Sequence, residues 1–146
     1  MVMRVNRGQV QALCGMLAVL VLVTCDEPPD QPVAGAYLFD MHNASGAEGQ
    51  FVAITTDSAV VAKIEAQLAL PVDKRLMHIN GPIGRGDGGH NLDWDWHFSP
   101  HEWDLVEVSI ELCDGNPGLV QEDIDYRVDT VGRFCPWGAY VVRSQE

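Results

Sequence analysis

Chemistry-bearing side chains crowd one stretch of the chain, "NLDWDWHFSPHEW", Asn91 to Trp103. It holds three of the four tryptophans, Trp94, Trp96 and Trp103, together with His97, His101, Asp93, Asp95 and Glu102. If "WDWHF" is a strand, its side chains alternate. Trp94, Trp96 and Phe98 then share one face, and Asp93, Asp95 and His97 the other. Large aromatics dominate a small core, so the first face reads as packing rather than a ligand shelf. The second is open to two readings. Asp95 and His97, two residues apart, suit a general base with its orienting carboxylate, or a half-exposed structural pair. Just upstream, "GPIGRGDGGHNLD" reads as a long glycine-rich loop. Loops of that length are often functional, so Arg85 and Asp87 join His97 and Asp95 as candidate ligand-binding residues.

Other chemistries find less support. His97 and His101 stand four apart, but Pro100 between them breaks the helix that would present both to zinc. Asp87, Asp93, Asp95 and Asp114 offer oxygen for calcium without EF-hand spacing. No metal and no cofactor is assigned. Neither GxSxG nor SxxK occurs, and the glycine-rich loop lacks the Gly-Lys-Ser/Thr of a phosphate loop. A net charge of −12 disfavours nucleic acid, whose phosphates need Lys and Arg.

The front of the chain differs in kind. "MVMRVNRGQVQ" carries Arg4 and Arg7 and no acid, and "ALCGMLAVLVLVTC" is then continuously apolar. That run is about a dozen residues, short of the ~20 needed to span a bilayer, and the pattern is that of an export signal. It ends in "LVTC", which resembles the lipobox of bacterial lipoproteins, with Thr24 departing from the usual Gly, Ala or Ser. The resemblance implies a signal peptide over 1–24 and a lipid on Cys25, so the membrane is the expected partner through that anchor. The expected location is the cell envelope, with inner and outer membrane both open. "CDEPPDQPVAG", 25–35, is an acidic, proline-rich tether. Residues 36–146 remain for a single globular domain.

Cysteine parity agrees with this division. Cys14 leaves with the signal and Cys25 takes lipid. Cys113 and Cys135 then remain in an oxidising compartment. They are not a CxxC. A redox pair and metal ligands are alternatives, and a structural disulfide is the reading the compartment favours.

The elements that must position these residues follow from pattern. "AYLFDM" and "QFVAITT" suggest a hairpin across "HNASGAEG". Asp57 caps a helix with Val61, Ile64 and Leu68 on its apolar stripe, closed by Pro71. "RLMHIN" and "WDWHF" are strand-like. In "VEVSIEL", Val106, Val108, Ile110 and Leu112 alternate with polar residues, which predicts a strand buried on one face. Asn116 and Pro117 start a second helix with Val120, Ile124, Val128 and Val131 on one stripe, ended by Gly132. "AYVVR" is the last strand. The expected class is α+β: a mostly antiparallel sheet with two helices, in the order β-β-α-β-β-β-α-β.

"WDWHFSP", "IELCDGNP" and "CPWGAYVVR", in this order and spacing, resemble the N-terminal domain of a calmodulin-binding protein of lower eukaryotes, a domain that recurs in bacterial proteins. The similarity runs from about Gln50 to Arg143. It carries no catalytic residues with it. Calmodulin is not an expected partner, since its targets are basic amphipathic helices, whereas the second helix here holds Glu122, Asp123, Asp125 and Asp129 against Arg127. The first functional expectation is a non-enzymatic, membrane-tethered module for an unknown protein or small-molecule ligand. The alternatives are a small envelope hydrolase using Asp95 and His97, and a secreted enzyme inhibitor.

Overall fold

The computed structural model describes residues 35–44 and 46–145. The expected signal segment, Cys25 and the expected tether up to residue 34 lie outside those residues. Strand β1, Ala36–Met41, and strand β2, Phe51–Ile54, form the expected hairpin, with Tyr37 opposite Ala53 and Phe39 opposite Phe51. The last strand returns along the other edge of β1, shifted in register between Leu38 and Phe39. Alternate residues of β1 and β2 are buried, as a half-wet antiparallel sheet requires.

Helix α1, Ser58–Leu68, starts where the cap predicts: the Asp57 carboxylate accepts from the N–H groups of Ala59 and Val60 at 2.8 and 3.2 Å. Its buried residues are Val60, Ile64 and Gln67, while Val61 and Leu68 are partly buried against the core. The stripe is therefore turned by one residue from the expected one. Burying Gln67 is tolerated because its side-chain oxygen accepts from the Met77 N–H at 3.2 Å.

Strand β3, His78–Arg85, is the spine of the second sheet. It pairs antiparallel with three short strands in turn. His78–Asn80 meets β5, Asp104–Val106; Gly81 and Pro82 meet β6, Arg133–Phe134; Ile83–Arg85 meets β4, Trp96–Phe98. Glycine permits this crossing: a Cβ on Gly81 would lie 2.4 Å from the Trp103 Cβ. "GPIGR" thus belongs to the strand, and the loop read from Gly81 onward begins only at Gly86. Strand β7, Ala139–Gln145, closes the first sheet, whose order is β2-β1-β7. The domain is α+β with mostly antiparallel sheet. Its element order is the expected one with the short β6 added between the second helix and β7.

Two expectations fail. "VEVSIEL" pairs only as far as Val106. Within β5 the buried residue is Leu105, while Asp104 and Val106 take the other face, so the alternation is offset by one residue from the expected one. Val108 falls on the Val106 side and beyond the paired residues, and Val108, Ile110 and Leu112 are 83%, 64% and 59% exposed. Glu111–Cys113 then tightens into a 3-10 turn. The long second helix is broken as well. Helix α2, Pro117–Glu122, opens on the Asn116 cap, but Asp123 leaves helical geometry and its carboxylate accepts from the Tyr126 N–H. A π-helical segment, Tyr126–Val131, follows and ends on left-handed Gly132. Asp is a residue whose side chain competes with helical hydrogen bonds in this way. Only Val120 of the predicted stripe is fully buried; Ile124, Val128 and Val131 are half-buried.

The core is aromatic. Phe51, Trp96, Phe98 and Phe134 meet one another with ring centroids 5.3–6.3 Å apart, and Phe39 stacks on Phe51 at 5.3 Å. Asn91 ties this core to the first sheet. Fully buried, it accepts from the Val52 N–H at 2.8 Å and donates to the Trp96 carbonyl at 2.8 Å.

Candidate ligand cleft

Strand β4 settles the packing of the aromatic stretch. Trp96 and Phe98 are fully buried on one face, and His97 is half-exposed on the other. Trp94, just before the strand, packs partly buried beside Trp96 and donates its indole N–H to the Gln50 carbonyl at 2.8 Å.

The polar residues singled out from sequence do not converge. The Asp95 carboxylate accepts from the Gln121 amide at 2.8 Å, and Gln121 accepts in return from the Asp95 N–H at 2.9 Å. His97 donates from Nδ1 to the Gly86 carbonyl instead. Arg85 is clamped by Asp125 and Asp129 at 2.6–2.8 Å, which holds its guanidinium charged and the Asp129 carboxyl below the usual carboxylate range. Asp87 accepts from the Gly89 N–H and shapes its own loop. His101 turns away from His97, in left-handed backbone with φ 64°, and its Nδ1 accepts from the Thr56 N–H. Cys113 and Cys135 are bonded, their Cα atoms 5.1 Å apart.

A broad concavity lies elsewhere. It encloses about 600 Å³ and is lined by Met41, Glu48, Trp94, Asp114, Asn116 and Glu122, among others. Four separate pieces of chain meet there. Met41 ends β1, and Glu48 sits on the 3-10 turn Gly46–Glu48 of the hairpin connection. Trp94 is held by its bond to Gln50. Asp114 and Asn116 form the turn into α2, and Glu122 is that helix's last residue. Every charged residue of the lining is an acid. Asp114 is committed, since its carboxylate accepts from the Trp137 N–H at 2.8 Å. Glu48 and Glu122 have no protein hydrogen-bond or ion-pair partner among the described residues.

A cleft of this size with an aromatic wall and a few polar groups is the usual form of a small-ligand site. Carboxylates and an indole are groups that can hold a positive charge, the first by ion pairing and the second through its π face. Sequence reasoning passed over Glu48 and Glu122 because nothing in their spacing links the hairpin turn to the end of α2.

The family model for the BP-seventy-four N-terminal domain matches residues 36–146. The chain belongs to this family. The match begins at the first residue of β1 and takes in both sheets, the disulfide and the cleft, so this N-terminal domain accounts for the whole described fold. No curated protein and no solved structure matches.

Two buried histidines set the domain's acid response. His78 is 3% exposed and bonded through Nε2 to the Ser109 hydroxyl at 2.7 Å; His90 is 7% exposed. Burial pushes the proton affinity of both below the ordinary histidine value. With folded values depressed, the unfolded chain binds more protons below about pH 6.5. Their contribution to stability is therefore full above that pH and is lost as pH falls through and below it. The urea midpoint should drop between about pH 7.5 and pH 5, before carboxylates such as Asp129 begin to titrate. A midpoint unchanged over that interval would show that neither ring opposes protonation.

Proposed function

We propose that this protein is a non-enzymatic binding module, held at the extracytoplasmic face of a membrane by lipid on Cys25, that captures a cationic group in the cleft between Glu48, Trp94 and Glu122. The carrying observation is the cleft: about 600 Å³ whose charged lining is wholly acidic, with two uncommitted carboxylates beside an indole. The net charge of −12 adds a long-range field that steers cations inward. Removal of the signal would take Arg4 and Arg7 and no acid, which deepens that field. Among the described residues no helix is long and apolar enough to cross a membrane, so the anchoring reading rests on Cys25 and the lipobox resemblance.

An oligolysine peptide tests the cleft, with a neutral peptide of equal length as comparison. The double variant Glu48→Gln/Glu122→Gln should weaken oligolysine binding by about tenfold or more, on the order of 1.4 kcal/mol. Glu65→Gln/Asp73→Asn, an equal charge change outside the cleft, should change it little beyond salt-screened attraction. Equal losses in both variants would reduce the effect to net charge and remove the site. The anchor is read separately: Cys25→Ala should leave membranes for the soluble fraction or stay unprocessed. A variant that fractionates with membranes at the parent's mature mass would count against lipid on Cys25.

A further inference from the structure

Away from the cleft, the loop between β3 and β4 brings together two imidazoles. The rings of His90 and His97 lie 5.6 Å apart, centroid to centroid, with their planes at 83°. Each is oriented by a glycine carbonyl of the same loop: His90 donates from Nδ1 to Gly88 at 2.9 Å, and His97 from Nδ1 to Gly86 at 2.8 Å. A carbonyl can only accept, so in both rings the proton is on Nδ1. The lone pair of each neutral imidazole is then on Nε2.

This is the arrangement that prepares a histidine to ligate metal: one nitrogen tied to a carbonyl, the other left as donor. A second observation points the same way. His90 is more than nine-tenths buried, and its Nε2 has no hydrogen-bond partner. An unpartnered acceptor at such depth calls for a cation or a donor to satisfy it. The backbone makes room for the pair. A Cβ on Gly88, at φ 63°, would come within 2.6 Å of the His97 ring and 2.8 Å of the His90 ring.

We propose that His90 and His97 together bind one divalent transition cation of the copper–zinc class through their Nε2 atoms. Imidazole nitrogen suits that class, and not calcium or magnesium. No cluster of three or more His, Cys, Asp or Glu stands ready for a metal among the described residues. The protein thus supplies two nitrogens, and water or an outside ligand supplies the rest. The site is independent of the cleft and of the lipid anchor. The sequence offers His97 with His101 as the spaced pair, whereas the fold pairs His97 with His90.

The test uses the full chain in mild detergent. Zn²⁺ binding is followed by calorimetry, and Cu²⁺ by electron paramagnetic resonance, which reads nitrogen ligation directly. One metal per chain and coupling to two imidazole nitrogens are expected. His97→Gln, the more exposed partner and the safer variant for folding, should weaken binding at least about tenfold. His42→Gln, on a separate exposed ring, should not change it. Absence of binding, affinity unchanged in His97→Gln, or oxygen-only ligation of copper would each overturn the assignment.

Discussion

Trp96→Ala should destabilise the domain by about 3–5 kcal/mol, the range for deleting a fully buried tryptophan. The indole is 0% exposed and touches aromatic neighbours on several sides: Phe134 at 5.3 Å, Phe51 and Phe98 at 5.9 Å, Trp94 at 6.0 Å between centroids. Those rings come from β2, β4, β6 and the loop before β4, so no single segment can collapse into the space left behind. The adjacent residue gives the contrast. His97→Ala loses one hydrogen bond to Gly86 and a half-exposed ring, worth about 1 kcal/mol. Trp96→Phe separates shape from polarity. The Trp96 indole N–H is buried with no partner, so Phe removes an unsatisfied donor while keeping most of the apolar contact. It should cost clearly less than Ala. Urea unfolding of the three variants, with unchanged denaturant slope, measures all of this. Parental stability in Trp96→Ala, with unfolding in His97→Ala, would mean that the two faces of β4 are reversed.

The strand alternation in "WDWHF" was legible because both signals it depends on are local: the period of two, and the size of the rings. The caps at Asp57 and Asn116 were legible for the same reason. "VEVSIEL" has as clean an alternation and yet lies mostly open. The core takes Leu105 instead, which leaves Val106 on the opposite face, and pairing with β3 ends at Val106. Periodicity reports which residues would share a face, not whether another strand will cover it. The cleft was out of reach in principle. Glu48, Trp94 and Glu122 come from segments far apart in sequence that line one cleft only in the fold. His90 was passed over because His101 stands at helical spacing from His97, while only the loop's glycine turns bring His90 to it.

Removing the Cys113–Cys135 bond should cost about 3 kcal/mol. The sequence separation of 22 residues sets that figure in the chain-entropy account, in which the crosslink mainly restricts the unfolded chain. Here the native state adds a reason for the effect to be local as well as global. The bond ties the 3-10 turn after the open "VEVSIEL" segment to the chain just beyond β6, and the Cys135 N–H donates to the Cys113 carbonyl at 2.8 Å. Few other contacts hold that segment. Ser109 reaches His78 and Asn80 through its hydroxyl, at 2.7 and 2.8 Å, while Val108, Ile110 and Leu112 face solvent. Both cysteines are buried, so Cys113→Ala/Cys135→Ala is a better comparison than serine, which would bury two hydroxyls. Non-reducing peptide mapping should show the linked pair. The double variant should unfold at lower urea than the parent. Its amides from Glu107 to Asp114 should lose hydrogen-exchange protection before those of β1 and β7 do. Equal stability of oxidised parent and double variant would show that the sheets alone hold this region. The apolar face of Val108, Ile110 and Leu112 would then be fixed in place by something other than the crosslink.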